Sequence, residues 1–201
     1  ASSSLCVAVG RWFQFMGLIK DSEIYDFSRK LENLFHGESS GVDIAVVLNE
    51  KPLLFARPQS IQFIDNFFKA NLYLSYCGQR GVTKDCVEKV KSLFITHPEL
   101  AQKLDQEMLE TTQLLKQAFT QKDVEPKDRQ EAILKGFNKG YEVFKSWGLT
   151  IGCLDEHINK LMNMGALACK PTGSGGGGFV LSYWPEGMPQ LNSGIQFISV
   201  F

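Results

Sequence analysis

The sequence predicts a helix-rich α+β protein. Three observations lead there. Between residues 84 and 164, apolar side chains recur at helical spacing through long, otherwise polar stretches. Short β-prone runs lie on either side of that block, at 71–76, 179–184 and 195–201. Five of the eighteen glycines fall in six residues inside Lys170-Pro171-Thr172-Gly173-Ser174-Gly175-Gly176-Gly177-Gly178-Phe179. That run is pinned between apolar segments, which suits a built turn better than a tether. Because helices outnumber strands after residue 70, a doubly wound sheet is not expected.

In chain order, residues 5–16 read as a mostly apolar buried helix with serines at its N-terminus. Gly17 ends it, and Asp21 is the expected cap of a second helix over 22–35, where Ile24, Phe27, Leu31 and Leu34 share a face. Residues 36–43 read as a turn, and 44–48 suit either helix or strand. Short strands are expected at 52–56 and 61–64, with Arg57-Pro58 as a break between them. A boundary near 66–70 divides this first part from the rest. Strand 71–76 and a turn at 77–82 follow, with Thr83 as the expected N-cap of a helix over 84–96. Pro98 suits the first turn of a long helix over 99–119. Further helices are expected over 128–147 and 153–164, then a short apolar segment at 166–169, the glycine run, and the last two strands around a Pro/Gly turn region.

Composition excludes several classes of function. A net charge of −1 without a basic stripe argues against nucleic acid. No run is long enough to span a bilayer as a helix. Cys6, Cys77, Cys86, Cys153 and Cys169 are an odd number spread along the chain, favouring reduced thiols and a cytoplasmic setting over a disulfide framework. The scattered His36, His97 and His157 argue against a histidine-built metal centre.

Three segments carry candidate chemistry. The glycine run contains a G-x-G-x-x-G spacing at Gly173, Gly175 and Gly178. A strand follows it where a dinucleotide site needs a helix, and no Gly-Lys-Ser/Thr closes it as in a Walker loop. What survives is an anion-binding or close-approach loop, against a tight turn near a sheet edge as the plain alternative. The second segment is Glu32 followed by His36-Gly37-Glu38-Ser39-Ser40-Gly41-Val42-Asp43. Asp43 precedes an apolar run, so a partly buried, oriented carboxylate is expected there. Such a group accepts a proton from an alcohol, and a second carboxylate suits Mg²⁺. The plain alternative has Asp43 capping a helix and Glu32 on a solvated face. The third is Ala1-Ser2-Ser3-Ser4, whose hydroxyls and free N–H groups at a helix N-terminus suit phosphate, or serve as ordinary caps.

Taken together, Ala-Ser-Ser-Ser-Leu-Cys-Val-Ala, then His-Gly-x-x-Ser-Gly-Val-Asp, then Lys-Pro-Thr-Gly-Ser-Gly-Gly-Gly-Gly resemble the GHMP small-molecule kinases in order and spacing, over essentially the whole chain. Within that family the middle segment points to members that phosphorylate mevalonate rather than galactose. The resemblance implies that residues 1–68 are the end of an N-terminal kinase domain, and that 69–201 are a helix-rich C-terminal domain with an antiparallel sheet. It implies ATP and Mg²⁺, with Asp43 as the catalytic aspartate facing the acceptor hydroxyl, and Ser2 and Glu32 as Mg²⁺ ligands. Ser2, Ser3 and Ser4 would border the ATP phosphates, and Gly173, Ser174, Gly175, Gly176 and Gly177 would close the site. The family's first motif and the glycines opening its second do not occur here, Ala1 stands where serine is common, and the tail after Trp184 is short. The chain is accordingly expected to be the C-terminal portion of a kinase and inactive alone. Two alternatives stay open: a GHMP kinase acting on a sugar, homoserine or phosphomevalonate, and a non-catalytic interaction or homodimerisation module built on the helices of 84–147.

Overall fold

The computed structural model describes residues 2–56, 60–185 and 194–201. Ala1, the expected break at 57–58 and most of the turn region before the last strand lie outside the described residues, as does the His36 side chain. The chain divides into two units, Ala1–Asn66 and Phe67–Phe201.

In the first unit, α1 (Ser2–Phe15), α2 (Ile24–His36) and α3 (Val42–Asn49) pack around Cys6, Val7 and Ile44, with Tyr25, Leu31, Val47 and Leu48 against them. Gly10 lets α1 and α2 approach closely: a Cβ there would lie 2.8 Å from Ser28 Oγ. Ser28 is fully buried and donates its hydroxyl to Cys6 O at 3.3 Å. The expected cap at Asp21 is replaced by a short 3-10 turn, Asp21–Glu23, in which the Glu23 carboxylate accepts the Lys20 N–H at 2.7 Å. Segment 44–48 resolves as helix. β1 (Leu53–Ala56) and β2 (Ser60–Phe63) form an antiparallel hairpin, Leu53 opposite Phe63.

The second unit is built on a four-stranded sheet, every pairing antiparallel. Its strands are β3 (Leu72–Tyr76), β4 (Ala168–Pro171), β5 (Phe179–Tyr183) and β6 (Phe197–Ser199), in the order β4-β5-β3-β6. Side chains alternate across a strand, so each register position chooses a face. Leu72, Tyr183 and Ala168 share one face and meet Ala118, Ile133 and Phe137 from α5 (Pro98–Thr120) and α6 (Pro126–Ser146). Tyr73, Cys169 and Val180 share the other and meet Leu154, Ile158 and Leu161 of α7 (Cys153–Asn163). Helices thus cover both sides.

Three details of the second unit depart from the sequence reading. β4 is a strand in a segment where only an apolar stretch was expected. α6 starts two residues early because Pro126 occupies its first position, where no N–H is needed. In α4 (Thr83–Thr96) the cap is Val82, so Thr83 is the first helical residue rather than the cap. At the end of α5, buried Arg129 donates to Ala118 O and, at 2.9 Å, to Gln121 O, supplying partners to carbonyls the helix leaves open.

Candidate active site

The first unit gathers hydroxyls around one carboxylate. Glu32 lies on α2 and is only 3% exposed. Ser3, from the first turn of α1, donates its hydroxyl to Glu32 Oε1, and Ser39, from the turn after α2, donates to Oε2. The Cys6 thiol, one turn beyond Ser3, is pushed up by burial first and by the Glu32 charge second. The solvated face that the plain reading gave Glu32 is therefore wrong: the carboxylate is inside, and two hydroxyls offset its lost hydration.

Glycine conformations shape the turn that brings Ser39 inward. Gly37 ends α2 at φ 78°, its N–H donating to Asn33 O at 2.8 Å. Ser39 N–H donates to Asn33 Oδ1 at 2.7 Å, and Ser39 Oγ in turn accepts the Gly41 N–H at 3.0 Å. Gly41 has φ 83° and passes so close to Tyr25 that a Cβ would overlap its hydroxyl. The chain then enters α3, with Asp43 in its first turn. Asp43 is exposed, which corrects the expected partial burial: the apolar run that begins at Ile44 turns into the core, whereas Asp43 remains on the outer side. Its charge is favoured there by the N-terminal end of the helix dipole. Of the three serines, Ser2 is half-buried, Ser3 buried and Ser4 exposed, all within the first turn of α1, whose N–H groups have no intrahelical acceptor.

Hard oxygen donors of this kind suit Mg²⁺, which is commonly held by one or two carboxylates together with phosphate and water. The Glu32 carboxylate keeps lone pairs beyond the two hydrogen bonds it accepts, so the residues fit such a cation. Among the described residues no group of three His, Cys, Asp or Glu side chains stands ready to hold a metal. A cation at Glu32 would complete its shell with hydroxyls, water or phosphate.

The second unit carries the glycine loop, which joins β4 to β5. Gly173, Gly175, Gly176, Gly177 and Gly178 all have positive φ. At Gly175 and Gly177 close packing also leaves no room for a side chain. A Cβ on Gly177 would meet Gln79 O and Gly81 N, both at 2.7 Å, and one on Gly175 would meet Leu149 Cβ at 2.9 Å. Gly176 N–H donates to Leu149 O and Gly178 N–H to Gln79 O, each at 2.7 Å. The outer part of the loop differs: Gly173 is exposed, and Ser174 Oγ donates to Thr83 Oγ1 at 3.3 Å, at the N-terminus of α4. Just before the loop, the Lys170 ammonium donates to Pro171 O at 3.0 Å, and burial lowers its pKa.

The structure brings Ser3 and Glu32 together and adds Ser39, which the sequence reading passed over. Its signal was a hydroxyl in a Gly/Ser turn seven residues beyond a carboxylate.

No family model matches the chain. It is 27% identical over 203 residues to the mevalonate kinase of Thermococcus gammatolerans, covering 97% of this chain and 58% of that protein. With the mevalonate kinase of Pyrococcus furiosus it shares 26% identity over 199 residues, 98% of this chain and 58% of the relative. The chain thus spans somewhat over half the length of the curated relatives it matches. Among solved structures, L. major mevalonate kinase in complex with R-mevalonate superposes with a TM-score of 0.75 at 19% identity, over 92% of this chain and 57% of that one. A Lin0012 protein from Listeria innocua superposes at 0.71 with 16% identity, over 96% and 63%. Lactococcus lactis galactokinase complexed with galactose gives 0.62 at 14%, over 92% and 57%. At these identities the structural matches speak for the fold. Taken with the sequence relatives, they make the chain similar to mevalonate kinases over nearly its whole length, in sequence and in fold.

Proposed function

We propose that this chain carries the metal and acceptor residues of an ATP-dependent phosphotransferase acting on a primary alcohol, mevalonate in the first instance. The observation that carries the reading is the buried Glu32 carboxylate, held between the serine-bearing start of α1 and the glycine turn that leads to Asp43. The names of the sequence relatives support mevalonate over other acceptors.

In this reading the first-turn N–H groups of Ser2, Ser3 and Ser4 hold phosphate oxygens. Glu32, with Ser2 and its neighbour Ser3, would hold Mg²⁺, which when bound offsets phosphate charge. Asp43 orients the acceptor hydroxyl and takes its proton as the phosphoryl group moves, so catalysis rests on positioning and charge neutralisation. Gly173, Ser174, Gly175, Gly176 and Gly177 are assigned to the nucleotide. Gly176 would serve through its missing side chain, since its N–H already donates to Leu149 O. On the same reading residues 1–68 end an N-terminal kinase domain, 69–201 form the C-terminal domain, and the enzyme works in the cytoplasm. Among the described residues no helix is long and apolar enough to cross a membrane.

The test is Asp43→Asn in the full-length enzyme, assayed with a panel of mevalonate, phosphomevalonate, homoserine and galactose. Turnover of mevalonate is expected to fall by about 10² or more with nucleotide binding kept. Near-normal turnover removes Asp43 from the catalytic role, and preference for another acceptor moves the enzyme elsewhere in the family.

A further inference from the structure

Just past the end of β3, where the chain faces the start of α7, two thiols lie together outside the site described above. Tyr73 and Ser75 project toward α7 by strand alternation, and Cys77, the residue after the strand, continues on the same side. On α7, residues 153 and 157 are one turn apart and share a face. The two rows meet twice: Ser75 Oγ lies 2.7 Å from His157 Nε2, and Cys77 Sγ lies 3.2 Å from Cys153 Sγ. Cys6, Cys86 and Cys169 are buried, whereas Cys77 and Cys153 are half-buried and flanked by exposed Gly78 and Gly152, so a small oxidant reaches them.

The thiols sit at the inner hinge of the glycine loop. Cys77 N–H donates to Gly178 O at 3.0 Å, Gly178 N–H donates to Gln79 O at 2.7 Å, and Cys77 Sγ donates to that same Gln79 carbonyl at 3.4 Å. Whatever fixes Cys77 therefore fixes the point where the loop returns to the sheet.

We propose that Cys77 and Cys153 are a redox site, a dithiol that peroxide closes to an intrachain disulfide, fastening the 77–79 turn and the end of the glycine loop to the start of α7. In the first step one thiolate attacks a peroxide oxygen, the O–O bond breaks, and a sulfenic acid and water form. In the second the other thiolate attacks the sulfenic sulfur, the S–S bond forms, and a second water leaves. Two thiols are oxidised and one hydrogen peroxide is reduced to two waters. The inference is independent of the catalytic assignment, since neither cysteine belongs to it.

Hydrogen peroxide is the probe, applied to the wild-type chain, followed by alkylation in denaturant and mass spectrometry under non-reducing conditions. Expected are a mass lower by about 2 Da, alkylation confined to Cys6, Cys86 and Cys169, a linked peptide pair holding Cys77 and Cys153, and reversal by a dithiol reductant. Amide exchange at Gly178 is expected to slow several-fold in the oxidised protein. Full alkylation of Cys77 and Cys153 after peroxide, or oxidation that stops as sulfinic acid on one of them, overturns the proposal. A linked pair without slower exchange at Gly178 overturns its coupling to the loop. Cys153→Ser should abolish the 2 Da loss; a cross-link persisting in that variant assigns the oxidation elsewhere and overturns the pairing.

Discussion

The two candidate binding segments are built on opposite principles. Around Glu32 the work is done by side chains: a buried carboxylate and two hydroxyls arriving from α1 and a turn. In the glycine loop it is done by the absence of side chains, which lets main chain lie on main chain at 79–81 and Leu149. The first arrangement is a set of replaceable groups on secure helices. The second is a set of left-handed backbone conformations, two of which, at Gly175 and Gly177, also lie too close to their neighbours for a substituent. Damage to the first should show mainly in chemistry and local polarity, and damage to the second in folding.

Replacing Gly177 by Ala is the sharpest way to break that contrast. Its φ of 144° is closed to L side chains, and the new methyl would press on two backbone atoms that cannot rotate away. A loss of about 3 kcal/mol or more is expected in urea unfolding. Gly173→Ala is the internal control: its φ is 64°, but a Cβ there meets nothing within 4 Å, so about 1–2 kcal/mol of backbone strain is all that should be lost. Equal losses at the two positions would mean that close packing is not what the loop requires.

Glu32→Ala comes next. It takes the acceptor from Ser3 and Ser39 and should cost about 1–3 kcal/mol, with Glu32→Gln, which keeps one carbonyl oxygen, costing less. If the alanine variant is as stable as wild type, the hydroxyls do not depend on the carboxylate and the polar side of the comparison fails.

The smallest effect is one of pH, at His157 on α7. Burial first, and Lys160 second, lower its pKa below the ordinary 6.5. The folded protein therefore favours the neutral ring, while the unfolded chain takes up a proton near pH 6.5. The stability this contributes is complete above that value and declines as pH falls through it toward the folded pKa. Thermal unfolding from pH 8 down to 5 should show the decline, and His157→Gln should flatten it. An unchanged slope in the variant places the titration elsewhere.

Much of this architecture was readable in the chain, and the failures have physical causes. The long helices declare themselves because apolar residues such as Ile133 and Phe137 recur at helical spacing. β4 did not, because Ala168-Cys169-Lys170-Pro171 shows no apolar alternation and becomes a strand only by pairing with β5. Glu32 stands out in the sequence as one of two carboxylates flanking the Gly/Ser turn, yet its partner Ser3 lies twenty-nine residues away, which periodicity does not reveal. The apolar neighbours of Asp43 suggest partial burial, but a helix turns successive residues to different sides, so adjacency along the chain does not translate into a shared environment. Composition located the glycine loop. That its glycines answer to Gln79, Gly81 and Leu149 was hidden, since those contacts join segments far apart in the chain.

Strand alternation in β3 has one more consequence. The same parity decides which side chains enter the core and which thiol meets α7, so the strand works as a two-phase ruler. Adding or deleting one residue between Leu72 and Cys77 would send part of the strand to the opposite phase, exchanging the Leu72 and Tyr73 faces or carrying Cys77 away from Cys153. Changes of two residues preserve phase, and an odd change needs a bulge to restore it. Length variation here should therefore be quantised in even steps, whereas the exposed end of the glycine loop at Gly173 is bound by no such arithmetic.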